Sequence, residues 1–76
     1  MSAKLPRVTG AELIRALKHD GWYESRQAGS HVTLRHPSKG GHVAVPVHAG
    51  KTLAPGRLSS ILDDAGLSGD DLRRLL

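Results

Sequence analysis

No cysteine occurs anywhere in the chain, and this removes two common staples of very small domains, a disulfide framework and a zinc–thiolate site. Its absence suits a reducing compartment. Stability must then come from helix-on-sheet packing and good helix caps, because a chain of 76 residues folds as a single domain and buries only about 60% of the surface its unfolded form exposes. Long apolar runs are also missing. The longest cover a few residues, against the roughly 20 that span a bilayer, and the start of the chain lacks the apolar stretch of a signal peptide. A cytoplasmic protein with no membrane attachment is expected. There is no internal repeat, linker or low-complexity segment, so one domain over 1–76 is expected, with a core over about 8–66 and a helical tail over 67–76.

Familiar catalytic signatures are absent as well. The sequence has no phosphate-cradling GxxxxGK(S/T), no HExxH, no GxSxG elbow and no paired carboxylates in its basic portion. Magnesium sites want carboxylate oxygens, and the acidic residues lie mostly towards the C-terminus, so a metal-dependent nuclease is disfavoured. Zinc held by His36, His42 and His48 is disfavoured too, since no adjacent pair has the usual ligand spacing. No metal and no cofactor are expected.

What the chain does have is positive charge, unevenly placed. The formal net charge is +4, with nine Lys and Arg in residues 1–57 against Glu12, Asp20 and Glu24. Residues 58–76 reverse the balance, with Asp63, Asp64, Asp70 and Asp71 against Arg73 and Arg74. The front of the chain thus suits an anionic partner such as nucleic acid, although Lys and Arg that merely solvate a small domain give the same count.

Thr9 followed by Glu12 is a capping box, and Val8 and Leu13 occupy the positions of a hydrophobic staple across it, so a helix over 10–20 is predicted. Leu13, Ile14 and Leu17 form its apolar stripe and Gly21 ends it. From Trp22 the apolar period changes to two. Strands are predicted at about Trp22–Arg26, at His31–His36, and after the turn Pro37–Gly41, where Val43, Val45 and Val47 alternate with His42, Ala44, Pro46 and His48. Pro46 cannot donate to a ladder and marks an edge or an end of the third strand. Pro55 opens a second helix with Leu58, Ile61, Leu62 and Ala65 buried, Gly66 closes it, and Ser68 caps a last short segment containing Leu72, Leu75 and Leu76. The order predicts an α+β fold, α-β-β-β-α, like a double-stranded-RNA-binding domain. In it two helices lie on one face of a three-stranded antiparallel sheet, with a short extra C-terminal helix. The other face stays open, carrying His31, Thr33, Arg35, His42 and His48.

Phosphodiester cleavage without a metal needs a proton-transfer group, and the chain has five histidines, the side chain whose ordinary pKa lies nearest neutrality. In RNA the 2′-hydroxyl is an internal nucleophile, so a base that takes its proton, with cations round the phosphate, suffices for scission. His31 stands out because Gly29 and Ser30 precede it at a tight turn. The glycine lets a phosphate approach the backbone, and the serine hydroxyl can donate to an oxyanion. From the residues alone, the triplet also reads as a plain hairpin turn whose Gly-Ser satisfies local geometry.

Taken in order, Gly21-Trp22, Arg26-Gln27-Ala28-Gly29-Ser30-His31, Pro46-Val47-His48, Gly50-Lys51, Pro55-Gly56, Ile61-Leu62 and Ala65-Gly66 resemble the HicA toxin family, from about Val8 to Gly66. The resemblance implies a double-stranded-RNA-binding-domain-like fold, metal-independent and ribosome-independent cleavage of mRNA, and a HicB-type antitoxin that covers the site. It also implies that the catalytic histidine is the one in the Gly-Ser-His triplet, His31. Trp22, where Phe is frequent in the family, is a conservative core swap. Ala28, where a basic or polar residue often precedes the glycine, removes a possible phosphate contact.

On this reading the chain is the toxin of a type II toxin–antitoxin pair, an endoribonuclease in which His31 is the general base. Arg26, Arg35 and Lys51, with Gly29 and Ser30 at the turn, bind RNA, and His48 is the candidate second catalytic group, the acid. The alternative is a non-catalytic RNA-binding module, which the same basic face serves. A third reading uses Leu72, Leu75 and Leu76 to dock a partner, but in so small a core they are expected to complete the domain's own packing.

Overall fold

The computed structural model describes residues 5–76. Its elements in chain order are α1 (Gly10–His19), β1 (Tyr23–Ala28), β2 (His31–His36), β3 (Lys39–Pro46), α2 (Pro55–Ala65) and α3 (Gly69–Leu75). None of its helices is long and apolar enough to cross a membrane, among the described residues.

α1 starts at the box read from the sequence. Thr9 Oγ1 accepts from the Glu12 N–H at 3.2 Å, and Glu12 Oε1 accepts from the Thr9 N–H at 2.8 Å. Its end explains why β1 begins later than predicted. The Gly21 N–H bonds the Lys18 carbonyl and the Trp22 N–H bonds the Leu17 carbonyl, a helix-terminating pattern that consumes the donor Trp22 would bring to a ladder. Trp22 therefore sits in the core, 3% exposed, and β1 runs from Tyr23 to Ala28 rather than from Trp22 to Arg26. Gly21 holds φ +101°, and a Cβ there would meet His36 Nε2 at 2.7 Å, so the position rejects a side chain on two grounds.

The sheet is antiparallel in the order β1-β2-β3. β2 has the predicted bounds and alternation: Val32 and Leu34 are buried, as are Val43 and Val45 opposite them on β3. β3 starts at Lys39, not after Gly41 as predicted, because the turn tightens to Pro37 and Ser38 when the Ser38 N–H donates to His36 Nδ1 at 3.1 Å. Nε2 of the same ring lies 2.7 Å from the Asp20 carbonyl, which can only accept, so the two bonds put the ring proton on Nε2. Asp20 also receives Trp22 Nε1 at 3.2 Å and Lys39 Nζ at 2.9 Å, and Lys39 reaches the Ala65 carbonyl at 3.1 Å. This knot ties the ends of α1 and α2 to the β2–β3 hairpin.

α1 and α2 both rest on β3. Gly10 fixes the overlap, since a Cβ there would collide with the Pro46 carbonyl oxygen. β1 is left uncovered, exposed along its whole length. α2 begins at Pro55, buries Leu58, Ile61, Leu62 and Ala65, and ends at Gly66 in the left-handed region, φ +72°. α3 carries a second capping box, Ser68 with Asp71, and buries Leu72 completely. His19 Nδ1 lies 2.7 Å from the Leu75 carbonyl and tethers the end of α3 to α1. Leu75 packs against the core, but Leu76 is 52% exposed and does not complete it as expected, because its N–H closes the last helical turn at the surface. The architecture is an α+β fold of the double-stranded-RNA-binding-domain kind, with helices on one face of the sheet and the other face open.

Candidate nucleic-acid interface

The open face is built by alternation along β2 and by one irregularity in β1. His31, Thr33 and Arg35 point away from the helices because Val32 and Leu34 point towards them. The β1–β2 register pairs Tyr23 with Arg35, Glu24 with Leu34, Arg26 with Thr33 and Ala28 with His31, and shifts between Glu24 and Arg26. Ser25 is the extra residue of this bulge, and its Oγ donates to the Thr33 carbonyl at 3.2 Å. Strict alternation would set Arg26 on the helix side with Glu24. The bulge instead brings Arg26 to the open face and leaves Glu24 on the other, where it pairs with Lys18 at 2.7 Å.

A recess of about 360 Å³ forms on the open face, lined by Ser25, Arg26, Thr33, Arg35 and His42. It contains two of the predicted RNA-binding residues, Arg26 and Arg35, and no carboxylate. Neither arginine makes an ion pair among the described residues, whereas Lys18, Lys39, Arg73 and Arg74 each have a carboxylate partner. His42 joins through its alternation with buried Val43, a signal the sequence carried. Ser25 was not legible, because a bulge leaves no mark on the apolar period.

His31 opens β2, exposed, between Ala28 on β1 and Pro46 on β3. It shares the open face with the recess but does not line it. Gly29 holds φ +59° with nothing within 4 Å of a Cβ, so backbone conformation rather than crowding selects glycine. Glycine with positive φ at the first central position is the pattern of a type II′ hairpin turn. Ser30 is half-buried, its carbonyl accepts from the Val47 N–H at 2.6 Å, and its hydroxyl makes no hydrogen bond among the described residues.

His48 is placed differently from the expectation, while Lys51 lies in the loop before α2 as expected. β3 ends at Pro46, which has no N–H to continue a ladder, so His48 lies in the following loop and not on the open face of a strand. The Lys51 N–H bonds the His48 carbonyl at 3.0 Å, closing an exposed turn with Gly50 at φ +73°. The Val47–Ser30 bond brings this loop off the sheet at the His31 end. Neither His48 nor Lys51 hydrogen-bonds to His31.

Two carboxylates have pKa values below their ordinary range, and both are caps rather than parts of this face. The Thr9 backbone N–H, followed by its hydroxyl, holds Glu12 low, and the Ser68 backbone N–H, followed by its hydroxyl, holds Asp71 low. Among the described residues, no three His, Asp or Glu side chains cluster so as to hold a metal ion. The arrangement is an exposed imidazole at the end of a cationic face that has no acidic group to neutralise it.

The family model described as HicA toxin of bacterial toxin-antitoxin matches residues 10–67, which is more than half of the chain and runs from the start of α1 to just past α2. No curated protein matches the chain significantly.

Proposed function

The chain belongs to the HicA toxin family of bacterial toxin–antitoxin systems, and from that premise we propose that it is a metal-independent endoribonuclease that cleaves mRNA, with His31 as general base. His31 takes the proton of a ribose 2′-hydroxyl, and the oxygen attacks the adjacent phosphorus. The bond to the 5′-oxygen breaks, leaving a 2′,3′-cyclic phosphate and, once that oxygen is protonated, a 5′-hydroxyl. His48 in the loop beside the His31 end of the sheet is the proposed donor of that proton. Arg26, Arg35 and Lys51 bind phosphates of the strand, and Gly29 and Ser30 let the scissile one approach the turn.

The observation that carries this reading is the exposure of His31 on a face with two arginines that lack ion-pair partners and with no carboxylate, among the described residues. Such a face attracts and holds a polyanionic strand and offers no carboxylate oxygens to a hard metal ion. As a toxin of its family the protein has an antitoxin partner. We propose that the partner is HicB-type, that it covers the basic face, and that both act in the cytoplasm. A second reading, a non-catalytic RNA-binding module, draws support from the recess, which gathers arginines without His31.

Induced expression separates the two. On the nuclease reading the wild-type chain alone arrests growth and His31→Ala does not, at equal protein levels; arrest that survives His31→Ala contradicts a catalytic role for that residue.

A further inference from the structure

We infer that the recess on the open face is a phosphate subsite distinct from the reacting centre at His31, holding a neighbouring phosphodiester of a single-stranded RNA whose base stacks on Tyr23. The inference rests on the RNA reading above and adds a substrate class and a track to it.

The recess has the chemistry of a phosphodiester site. Arg26 and Arg35 present guanidinium forks that match phosphate oxygens, and both lack a protein counter-ion among the described residues. The Thr33 hydroxyl and the His42 ring supply further donors, while the Ser25 hydroxyl is engaged in fixing the bulge. Glu24, the acidic residue nearest in sequence, is turned to the helix side and tied to Lys18.

Spacing separates this phosphate from the one being cut. Thr33 and Arg35 lie two and four residues along β2 from His31, about 7 and 13 Å at the rise of a strand. A general base must come within about 3 Å of the proton it takes. A phosphate lodged between Arg26 and Arg35 is therefore not the scissile one but a neighbour on the same strand.

Tyr23 indicates single-stranded rather than duplex RNA or an acidic protein. It pairs with Arg35 across β1 and β2, so it shares the open face, and it is the one large aromatic among the described residues that is exposed, at 49%. A cationic groove bordered by an exposed ring is how sheets hold unpaired strands, with phosphates on the cations and a base on the ring. A duplex keeps its bases stacked on each other and gives the ring no partner.

The test is binding of a short 2′-O-methyl oligoribonucleotide, which lacks the nucleophile, followed by fluorescence anisotropy over a salt series. In R26A/R35A the affinity falls roughly tenfold or more and the slope of log K against log salt becomes shallower by about 0.7, the one phosphate of a single strand that the two arginines share. Y23A lowers affinity by about 5- to 150-fold, the range for one stacked base, and leaves the slope unchanged. These side chains are exposed, and thermal unfolding confirms that the variants fold.

An unchanged slope in R26A/R35A overturns the subsite. Equal binding of the matching duplex, or displacement by polyaspartate as effective as by RNA, overturns the assignment to single-stranded RNA. Cleavage of the unmodified strand is measured in parallel. Recess-dependent binding without cleavage sinks the nuclease reading and leaves the subsite standing; cleavage indifferent to Arg26, Arg35 and Tyr23 does the reverse.

Discussion

At the scale of single residues, Gly21 joins two constraints that ordinarily occur apart. Its φ of +101° is costly for any residue with a Cβ, and the space a Cβ would fill is taken by His36 Nε2, which is itself held by the Asp20 carbonyl. Gly21→Ala is expected to lower stability by roughly 1–3 kcal/mol, read as a shift of the urea midpoint at unchanged slope. The glycine was legible in the sequence as a helix stop. The ring behind it was not, because Gly21 and His36 meet only when the β2–β3 hairpin folds back on the end of α1.

Glu12 and Asp71 set the acid limb of stability. Each has a pKa lowered in the fold by the backbone N–H of its capping partner, Thr9 and Ser68 respectively. A carboxylate whose folded pKa is depressed contributes stability that is fully present above its ordinary range and is lost as pH falls through the folded value. The melting temperature is therefore expected to drop below about pH 4, and less steeply in Glu12→Gln, whose side chain keeps the cap without titrating. A variant with the wild-type pH profile would contradict this assignment.

At the scale of elements, α3 is fastened to the core rather than appended to it. Leu72 is completely buried, and the His19–Leu75 bond tethers the helix at its far end. Leu72→Ala is expected to cost about 2–5 kcal/mol, measurable by chemical denaturation; a loss below about 1 kcal/mol would show that the core closes without the helix. β1 teaches the opposite lesson about legibility. Its existence followed from the change of apolar period at Trp22, but its start depended on which backbone donors α1 consumes. Its two faces depended on a one-residue bulge at Ser25 that no periodicity reveals. The sequence placed Arg26 among the RNA-binding residues as a cation to hold phosphate, and the bulge is the physical reason it reaches the open face. β2 matched its expected bounds and alternation because the extra residues lie on its partners, Ser25 on β1 and the β3 segment opposite Leu34 to His36.

At the scale of the whole molecule, the order of elements was readable because each boundary carries its own chemistry: boxes at Thr9 and Ser68, glycines at 21, 29 and 66, prolines at 46 and 55. The lateral placement of the helices was not readable. It depends on the close approach of Gly10 to Pro46 and Val47, a contact between residues far apart in the chain. That placement leaves β1 uncovered, so a hollow of about 460 Å³ opens between α1 and β1, with Ile14, Val32 and Val47 in its lining. It also leaves the opposite face of the sheet free of any helix, with His31 at one end and Tyr23 near the other. Acidic side chains in α2 and α3 lie on elements of the other layer, so the uneven charge of the sequence becomes a two-sided molecule.

The cleavage proposed for that face rests on His31. The most direct measurement is cleavage of a defined RNA by the purified protein in the presence of a chelator, with the product ends identified by mass spectrometry. The account predicts 2′,3′-cyclic phosphate and 5′-hydroxyl ends, and a rate in His31→Ala lower by about 10²- to 10⁴-fold with the melting temperature preserved. Cleavage by His31→Ala at the wild-type rate, or products bearing a 5′-phosphate, would contradict it.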